Sequence, residues 1–197
     1  GTPLREELYR GDRETGRKIC NFKNDKPVIM MMGGSQGSII LNTVLRNILP
    51  VLLEPFNVIH ICGKNNIKDS LNDIAGYKQF EYVDKELPHL FAAADLLISR
   101  AGANSIAEIV SLKKPNILIP LSARASRGDQ ILNARSFYKQ GFSQVLEEES
   151  LTEESLFNSI MEVYKNREKY IESMKNSGIS NGIEKIMEII NVCAKEG

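Results

Sequence analysis

The sequence predicts an α/β protein with a Rossmann-like, mostly parallel sheet flanked by helices. Short apolar runs alternate with amphipathic helical patterns almost to the end of the chain, and this alternation implies right-handed crossovers between parallel strands. The run Val28–Met32 is apolar throughout, which is typical of a strand covered on both faces. A glycine-rich turn follows this run and precedes a helical pattern, so strand, turn and helix form the first such unit.

The apolar runs that predict strands are short and are bounded by polar, glycine or proline residues. The predicted strands are Val28–Met32, Phe56–Cys62, Gln79–Val83, Leu96–Ser99, Asn116–Ile119 and Ser143–Leu146. Because helical patterns separate these runs, consecutive strands are expected to be joined by crossovers and to lie parallel.

Between the predicted strands, apolar residues recur every three to four positions, which indicates helices. The predicted helices are Ile39–Leu53, Lys68–Ala75, Pro88–Ala94, Ser105–Leu112 and Gln130–Gln140, with a polar helix Asp12–Asn21 before the first strand. After Leu151 the pattern changes to two or three helices packed beside the sheet. We therefore expect one domain over residues 1–197, with a helical tail over residues 151–197.

Composition limits the function classes. Lys plus Arg and Asp plus Glu each number 25, which gives zero formal net charge and argues against a general nucleic-acid surface. The 3 cysteines are far apart and match no metal-binding spacing, as expected of reduced thiols in a cytoplasmic protein. No apolar run approaches the ~20 residues that span a bilayer. The chain begins at Gly1–Arg5 without Met, as expected of a segment from a longer protein.

The turn after the first strand, Gly33–Gly37, has the sequence GGSQG. Glycines allow a sharp turn and a close approach to a ligand, and Ser35 or Ser38 can cap the next helix, whose first N–H groups then form an anion site. The glycine order fits neither the dinucleotide fingerprint nor a Walker loop. It matches the nucleophile elbow of α/β-hydrolases, but those need a late histidine, and the chain has only His60 and His89. A tight turn without a ligand is the other alternative.

A second turn of small residues, Ser99–Ser105, ends the fourth predicted strand. Asn104 or Ser105 can cap the next helix and leave free N–H groups facing an anion. Glu108 is expected in the first turn of that helix, where a carboxylate can accept two hydrogen bonds from a sugar diol. The alternatives for Glu108 are helix N-terminal electrostatics and a capping box with Ser105.

A polar loop, Pro120–Gln130, follows the fifth predicted strand. Open α/β sheets bind ligands at the carboxyl ends of their strands. Arg124 and Arg127 can therefore meet phosphate, and Asp129 and Gln130 can meet sugar hydroxyls. The alternative is a solvated loop in which Asp129 caps the following helix.

Other polar residues are expected to have structural roles. His60 lies within an apolar strand and is expected to be a satisfied core residue, whereas His89 beside Pro88 is expected to lie at a helix start. The acidic run Glu147–Glu149 is expected to be a solvated turn before the tail helices.

Together, the three turns resemble the MurG-like bacterial glycosyltransferases (glycosyltransferase family 28). The residues that carry the resemblance are Gly33-Gly34-Ser35-Gln36-Gly37, Arg100-Ala101-Gly102-Ala103-Asn104-Ser105 with Glu108, and Asp129-Gln130 with Asn133-Ala134. The resemblance covers essentially the whole chain, as the C-terminal, donor-binding half of the two-domain GT-B fold. It implies that the N-terminal, acceptor-binding domain is absent, and Gly1–Arg5 looks like the segment that leads into this half.

The resemblance also implies individual roles in binding UDP-N-acetylglucosamine. Ser35 and Gln36, with the adjacent backbone at Gly34, would meet the sugar or the diphosphate. Arg5 looks like the family arginine near the diphosphate. Val83, at the end of a predicted strand, would hydrogen-bond uracil through its backbone.

The helix that follows the second turn has further implied roles. Ala103, Asn104 and Ser105 would offer helix-start N–H groups to phosphate, and Glu108 would hold the ribose hydroxyls. Asp129 and Gln130 would grip the hydroxyls of N-acetylglucosamine, so the three turns would form one donor site.

The implied reaction is inverting transfer of N-acetylglucosamine from UDP-N-acetylglucosamine to lipid I, which gives lipid II for peptidoglycan. Helix N-termini and Arg5 would stabilise the departing UDP, with no cofactor and no metal. The resemblance places the catalytic base, the lipid-linked acceptor and a peripheral contact with the cytoplasmic face of the membrane in the absent N-terminal domain. The alternatives are another GT-B UDP-sugar enzyme (a glycolipid glycosyltransferase or a UDP-N-acetylglucosamine 2-epimerase) and a non-catalytic nucleotide-binding α/β domain.

Overall fold

Six parallel strands form one sheet in the computed structural model, which describes residues 6–34, 36–122 and 128–177. The strands are β1 (Val28–Met32), β2 (Asn57–Ile61), β3 (Tyr77–Phe80), β4 (Leu96–Ser99), β5 (Asn116–Leu118) and β6 (Gln144–Val145). Their order across the sheet is β3-β2-β1-β4-β5-β6, and every neighbouring pair is parallel. The predicted fold class is confirmed.

Helices precede, connect and follow these strands. Those in the described residues are α1 (Arg13–Ile19), α2 (Ile39–Leu52), α3 (Leu87–Ala93), α4 (Ala103–Ser111), α5 (Asp129–Lys139), α6 (Glu153–Lys165) and α7 (Arg167–Asn176). Every strand is parallel to its neighbours, so the helix that follows a strand begins at the carboxyl edge of the sheet. The predicted tail helix after residue 177 lies outside the described residues.

Helices cover the sheet on both faces, which explains the unbroken apolar run of β1. Val28 and Met30 pack into a core formed with α3, α4 and α5. Ile29 and Met31 pack into a second core, formed with α2 and α6. All four side chains are fully buried, since successive residues of a strand point to opposite faces.

The predicted helix Lys68–Ala75 is wrong: this segment contains a short 3-10 turn, Asp69–Leu71. The side chain of Gln79 on β3 explains the difference. Its amide nitrogen donates to the Lys68 carbonyl at 2.7 Å, and its carbonyl oxygen accepts from the Lys68 N–H at 3.2 Å. A buried side chain thus pairs with backbone groups at the start of the segment, where helix propensity is only a weak force.

Strand β3 ends at Phe80, not at Val83 as predicted. This edge strand pairs with β2 alone, and Cys62 N donates to Phe80 O at 2.9 Å just beyond the last residue of β2. The neighbouring chain then turns at Gly63, whose φ is +88°, so β3 has no partner to extend along. Val83 lies three residues beyond the strand, with its side chain in the core.

A buried chain of hydrogen bonds joins β3, β2 and α2. His60 is fully buried, with Nδ1 2.7 Å from the Tyr77 hydroxyl and Nε2 2.8 Å from Asn42 Oδ1. Asn42 Nδ2 donates to Cys62 O, so Oδ1 is an acceptor and His60 Nε2 must carry the hydrogen. Tyr77 therefore donates to Nδ1 of a neutral imidazole. The expectation that His60 is a satisfied core residue is confirmed.

Acid should weaken this network. Burial lowers the pKa of His60 from 6.5 to about 3, and the nearby Arg46 cation adds to the effect. Below pH 6.5 the unfolded chain takes up a proton that the folded chain does not, so this stabilisation is present above pH 6.5 and decreases as the pH falls towards 3. We expect the unfolding free energy to fall by about 2 kcal/mol between pH 7 and pH 5 through this residue. Urea unfolding of the parent and of His60→Gln at both pH values tests this, and equal decreases in the two proteins would contradict it.

Candidate functional site

The candidate site lies at the carboxyl edge of the sheet, between β1 and β4. The chain places β2 and β3 on one side of β1 and then returns to place β4 on the other side. Met32 pairs with Ser99, so the glycine turn and the small-residue turn leave the sheet side by side. Open α/β sheets bind ligands in the crevice at such a reversal of strand order.

The glycine turn packs against the end of β2 on one side and is open on the other. A Cβ added to Gly37, at φ +74°, would lie 2.1 Å from Cys62 O. Gly34 has φ +87°, yet an added Cβ would meet nothing within 4 Å, and Gln36 beside it is exposed. A ligand can therefore reach the backbone at Gly34. Ser35 lies outside the described residues.

Helix α2 begins directly after this turn, with Ser38 as its N-cap. Ser38 Oγ accepts from Leu41 N at 3.4 Å, which confirms Ser38 as one of the two predicted caps. The first turn of this 14-residue helix lies at the sheet edge, where its N–H groups and helix dipole favour an anion.

Helix α4 starts two residues earlier than predicted, which changes three interpretations. Its N-cap is Gly102, with no side-chain capping bond, so the predicted caps Asn104 and Ser105 are wrong, and both lie within the helix. Because Ala103 is the first helical residue, Glu108 lies in the second turn. Ser105 inside the helix cannot form the N-cap of a capping box, and Glu108 is one turn beyond the strongest effect of the helix terminus.

The third predicted turn lies beside the second. Gly128, with φ +86°, is the N-cap of α5, so Asp129 is its first residue and not its cap. Gln130 Oε1 accepts from Leu121 N at 3.1 Å, which fixes the start of α5 to the segment after β5. Buried Asn133 donates from Nδ2 to Ala101 O at 3.2 Å, and this bond ties α5 to the turn before α4.

The remaining predicted site residues differ in what the structure says of them. Arg5, Arg124 and Arg127 lie outside the described residues. Val83 is buried in the core. Asp129 and Asn104 are exposed, whereas Glu108 is half-buried.

Sequence reasoning included Arg100 in the second motif but gave it no role, and the structure places it directly after β4 at the carboxyl edge of the sheet. Its side chain is buried and donates from Nη2 to Ser38 Oγ at 2.8 Å. Nη1 donates to the carbonyls of Ile119 and Pro120 at 3.2 and 3.4 Å, and Glu148 completes an ion pair with Nη2. The available signal was a charged residue directly after a strand that begins with three apolar residues, Leu96–Ile98.

Two further features bear on ligand chemistry. Within residues 6–34, 36–122 and 128–177, no group of three or more His, Cys, Asp or Glu side chains is arranged to hold a metal ion. Across the same residues, the helices are too short or too polar to cross a bilayer.

Named relatives match this sequence over almost its whole length. A protein of Clostridium perfringens (strain SM101 / Type A), named "UDP-N-acetylglucosamine--N-acetylmuramyl-(pentapeptide) pyrophosphoryl-undecaprenol N-acetylglucosamine transferase", is 57% identical over 194 residues, 98% of this chain and 54% of that protein. A Clostridium tetani protein of the same name is 56% identical over 190 residues, 96% of this chain and 53% of that protein. The chain thus spans about half the length of the curated relatives that it matches.

Solved structures share the fold at lower identity. MurG of Acinetobacter baumannii superposes with a TM-score of 0.67 at 23% identity, covering 96% of this chain and 55% of that one. A UDP-GlcNAc 2-epimerase from Neisseria meningitidis, bound to UDP-GlcNAc, superposes with a TM-score of 0.58 at 15% identity, covering 90% and 47%. Residues 28–190 match the model of the glycosyltransferase family 28 C-terminal domain. By this match and by its identity to the clostridial transferases, the chain belongs to glycosyltransferase family 28, in the part that forms the C-terminal domain.

Proposed function

We propose that this chain is the donor-binding half of an enzyme that transfers N-acetylglucosamine from UDP-N-acetylglucosamine to lipid I, giving lipid II with inversion at the sugar C1. The observation that carries the proposal is the pair of helix starts, α2 and α4, placed side by side where the strand order reverses. The clostridial relatives, named as N-acetylglucosamine transferases, support the choice of sugar and acceptor.

The diphosphate would lie between the two helix starts. Helix α2 offers N–H groups after Gly34 and Gln36, and α4 offers those of Ala103, Asn104 and Ser105. Because the N-cap of α4 is a glycine without a side-chain cap, a phosphate oxygen can take the place of a capping side chain. Arg5 and Ser35 would complete this phosphate site.

The nucleoside and the sugar would extend to either side of the diphosphate. Glu108 would accept hydrogen bonds from the ribose hydroxyls, and the backbone of Val83 would read uracil. Asp129 and Gln130, at the start of α5, would bind the hydroxyls of N-acetylglucosamine. The link from Gln130 to Leu121 would keep this end of the site in place while the sugar reacts.

The chemistry that follows is charge stabilisation at the leaving group. When the acceptor hydroxyl attacks the sugar C1, negative charge grows on the departing UDP, and preorganised helix N–H groups stabilise that charge without a metal or cofactor. The general base, the lipid-linked acceptor and a peripheral contact with the cytoplasmic face of the membrane would belong to an N-terminal domain. We propose no nucleic-acid partner for the chain.

Binding and turnover should separate in this chain. We expect calorimetry to detect UDP and UDP-N-acetylglucosamine binding to the 197-residue chain, with UDP bound more tightly than ADP, while transfer to a lipid I analogue stays at background. Absence of UDP binding would overturn the proposed donor site. Robust transfer by this chain alone would overturn the proposal that transfer needs an N-terminal domain. If product analysis shows that the chain converts UDP-N-acetylglucosamine to its 2-epimer, a 2-epimerase is favoured.

A further inference from the structure

The sequence predicted that the acidic run Glu147–Glu149 is a solvated turn. The structure contradicts this prediction at Glu148. The side chain of Glu148 is 12% exposed and forms an ion pair with Arg100, whose side chain is 10% exposed. By contrast, the Glu147 side chain is 52% exposed and lies 3.6 Å from Arg135, and Glu149 is exposed. Of the three carboxylates, that of Glu148 is the one that is largely buried, and its partner Arg100 lies at the carboxyl edge of the sheet.

The contacts of Arg100 define what this pair does. An arginine has four N–H groups on its two terminal nitrogens. Nη1 contacts the carbonyls of Ile119 and Pro120, and Nη2 contacts Ser38 Oγ and Glu148. Hydrogen bonds to Ile119, Pro120 and Ser38 and the ion pair with Glu148 thus surround both terminal nitrogens with protein atoms, so the role of the guanidinium is to hold neighbouring segments in place.

The segments that Arg100 joins lie at the carboxyl edge of the sheet, where the candidate site lies. Ile119 and Pro120 follow β5, and Glu148 follows β6. Ser38 ends the glycine turn and caps α2, and its Oγ also accepts from Leu41 N. A continuous chain of polar contacts thus runs from Glu148 through Arg100 and Ser38 to the first turn of α2.

We propose that Glu148 is a positioning residue for the donor diphosphate, acting through Arg100 on Ser38 and the start of α2. A buried guanidinium needs a partner charge to offset its lost hydration. With the Glu148 carboxylate in place, Arg100 stays directed at Ser38. Without it, Arg100 gains by turning towards water, and the N-cap of α2 loses its support. The inference rests on the proposed function in assigning the diphosphate to this helix start.

Two variants and a matched control test the proposal in the 197-residue chain. Glu148→Ala removes the ion pair, Glu148→Gln retains an oxygen that can accept from Arg100, and Glu149→Ala makes the same charge change at an exposed neighbour. The first readout is amide hydrogen exchange at Leu41 in the ligand-free protein. The second is the affinity for UDP compared with that for uridine, which lacks the diphosphate.

We expect Glu148→Ala to speed exchange at Leu41 and to weaken UDP binding about tenfold, with Glu148→Gln intermediate and Glu149→Ala at the parent value. Uridine affinity should stay within about twofold of the parent. If Glu148→Ala does not fold, Glu148→Gln carries the test through both readouts. Unchanged exchange at Leu41 and unchanged UDP affinity in a folded Glu148 variant would overturn the proposal. Failure of the parent to bind UDP would instead overturn the proposed function, while Leu41 exchange would still decide whether Glu148 positions α2.

Discussion

Gly37→Ala should destabilise the protein by about 2–4 kcal/mol, the largest effect that we expect from a single methyl group. The added Cβ would lie 2.1 Å from Cys62 O and 3.0 Å from the Cα of Gly63. Both neighbours are backbone atoms at the end of β2, so neither can move aside by changing a rotamer. The positive φ of +74° adds backbone strain to the collision.

Gly34→Ala provides the matched comparison for this effect. Gly34 also has a positive φ, +87°, but an added Cβ meets nothing within 4 Å. This variant should lose only about 1–2 kcal/mol of stability, from backbone strain alone. Urea unfolding of both variants measures the difference, and equal losses would mean that the contact with Cys62 does not restrict the turn.

Glu108→Ala should weaken UDP binding about 10- to 100-fold, since a charge-assisted hydrogen bond contributes about 1.5–3 kcal/mol. Glu108 is half-buried in the second turn of α4, one turn from the proposed phosphate contacts. In the proposed site, the ribose lies next to the bound diphosphate at this end of α4. Isothermal titration calorimetry with UDP measures the loss directly.

The ribose role of Glu108 has its own control, 2′-deoxy-UDP. The parent should bind 2′-deoxy-UDP more weakly than UDP, whereas Glu108→Ala should bind the two ligands about equally, because the carboxylate that separates them is gone. Thermal unfolding verifies that the variant is folded. A folded Glu108→Ala variant that binds UDP as well as the parent would favour a non-catalytic domain whose turns serve only the fold.

The central strands β1 and β4 were predictable because burial on both faces requires a run of mostly apolar residues. The predicted bounds of β1 and β4 agree with the observed Val28–Met32 and Leu96–Ser99. The edge strand β3 was predicted less well, since its burial pattern is mixed and its end depends on where β2 stops. Prediction failed at Lys68–Ala75, where Gln79 hydrogen-bonds backbone that local propensity alone would leave in a helix.

Helix starts also differ in how well the local sequence predicts them. Ser38 was correctly predicted as a possible cap, because its hydroxyl reaches an N–H only three residues away. Asn104 and Ser105 were predicted as caps of α4 for the same chemical reason, yet Gly102 takes that position. Capping preference is a matter of about 1 kcal/mol, which the packing of Ile106 and Ala107 in the core can outweigh.

The sequence by itself determined the alternation of strand and helix, the glycine turn and the family, because these depend on residues close together in the chain. Only the tertiary structure decided which strands lie next to each other in the sheet and that Arg100 joins Ser38 to Glu148. These two partners of Arg100 are far apart in the chain. Their contacts with Arg100 follow from strand order and from the cost of leaving a buried charge unpaired. Neither of these causes can be seen in a local sequence pattern.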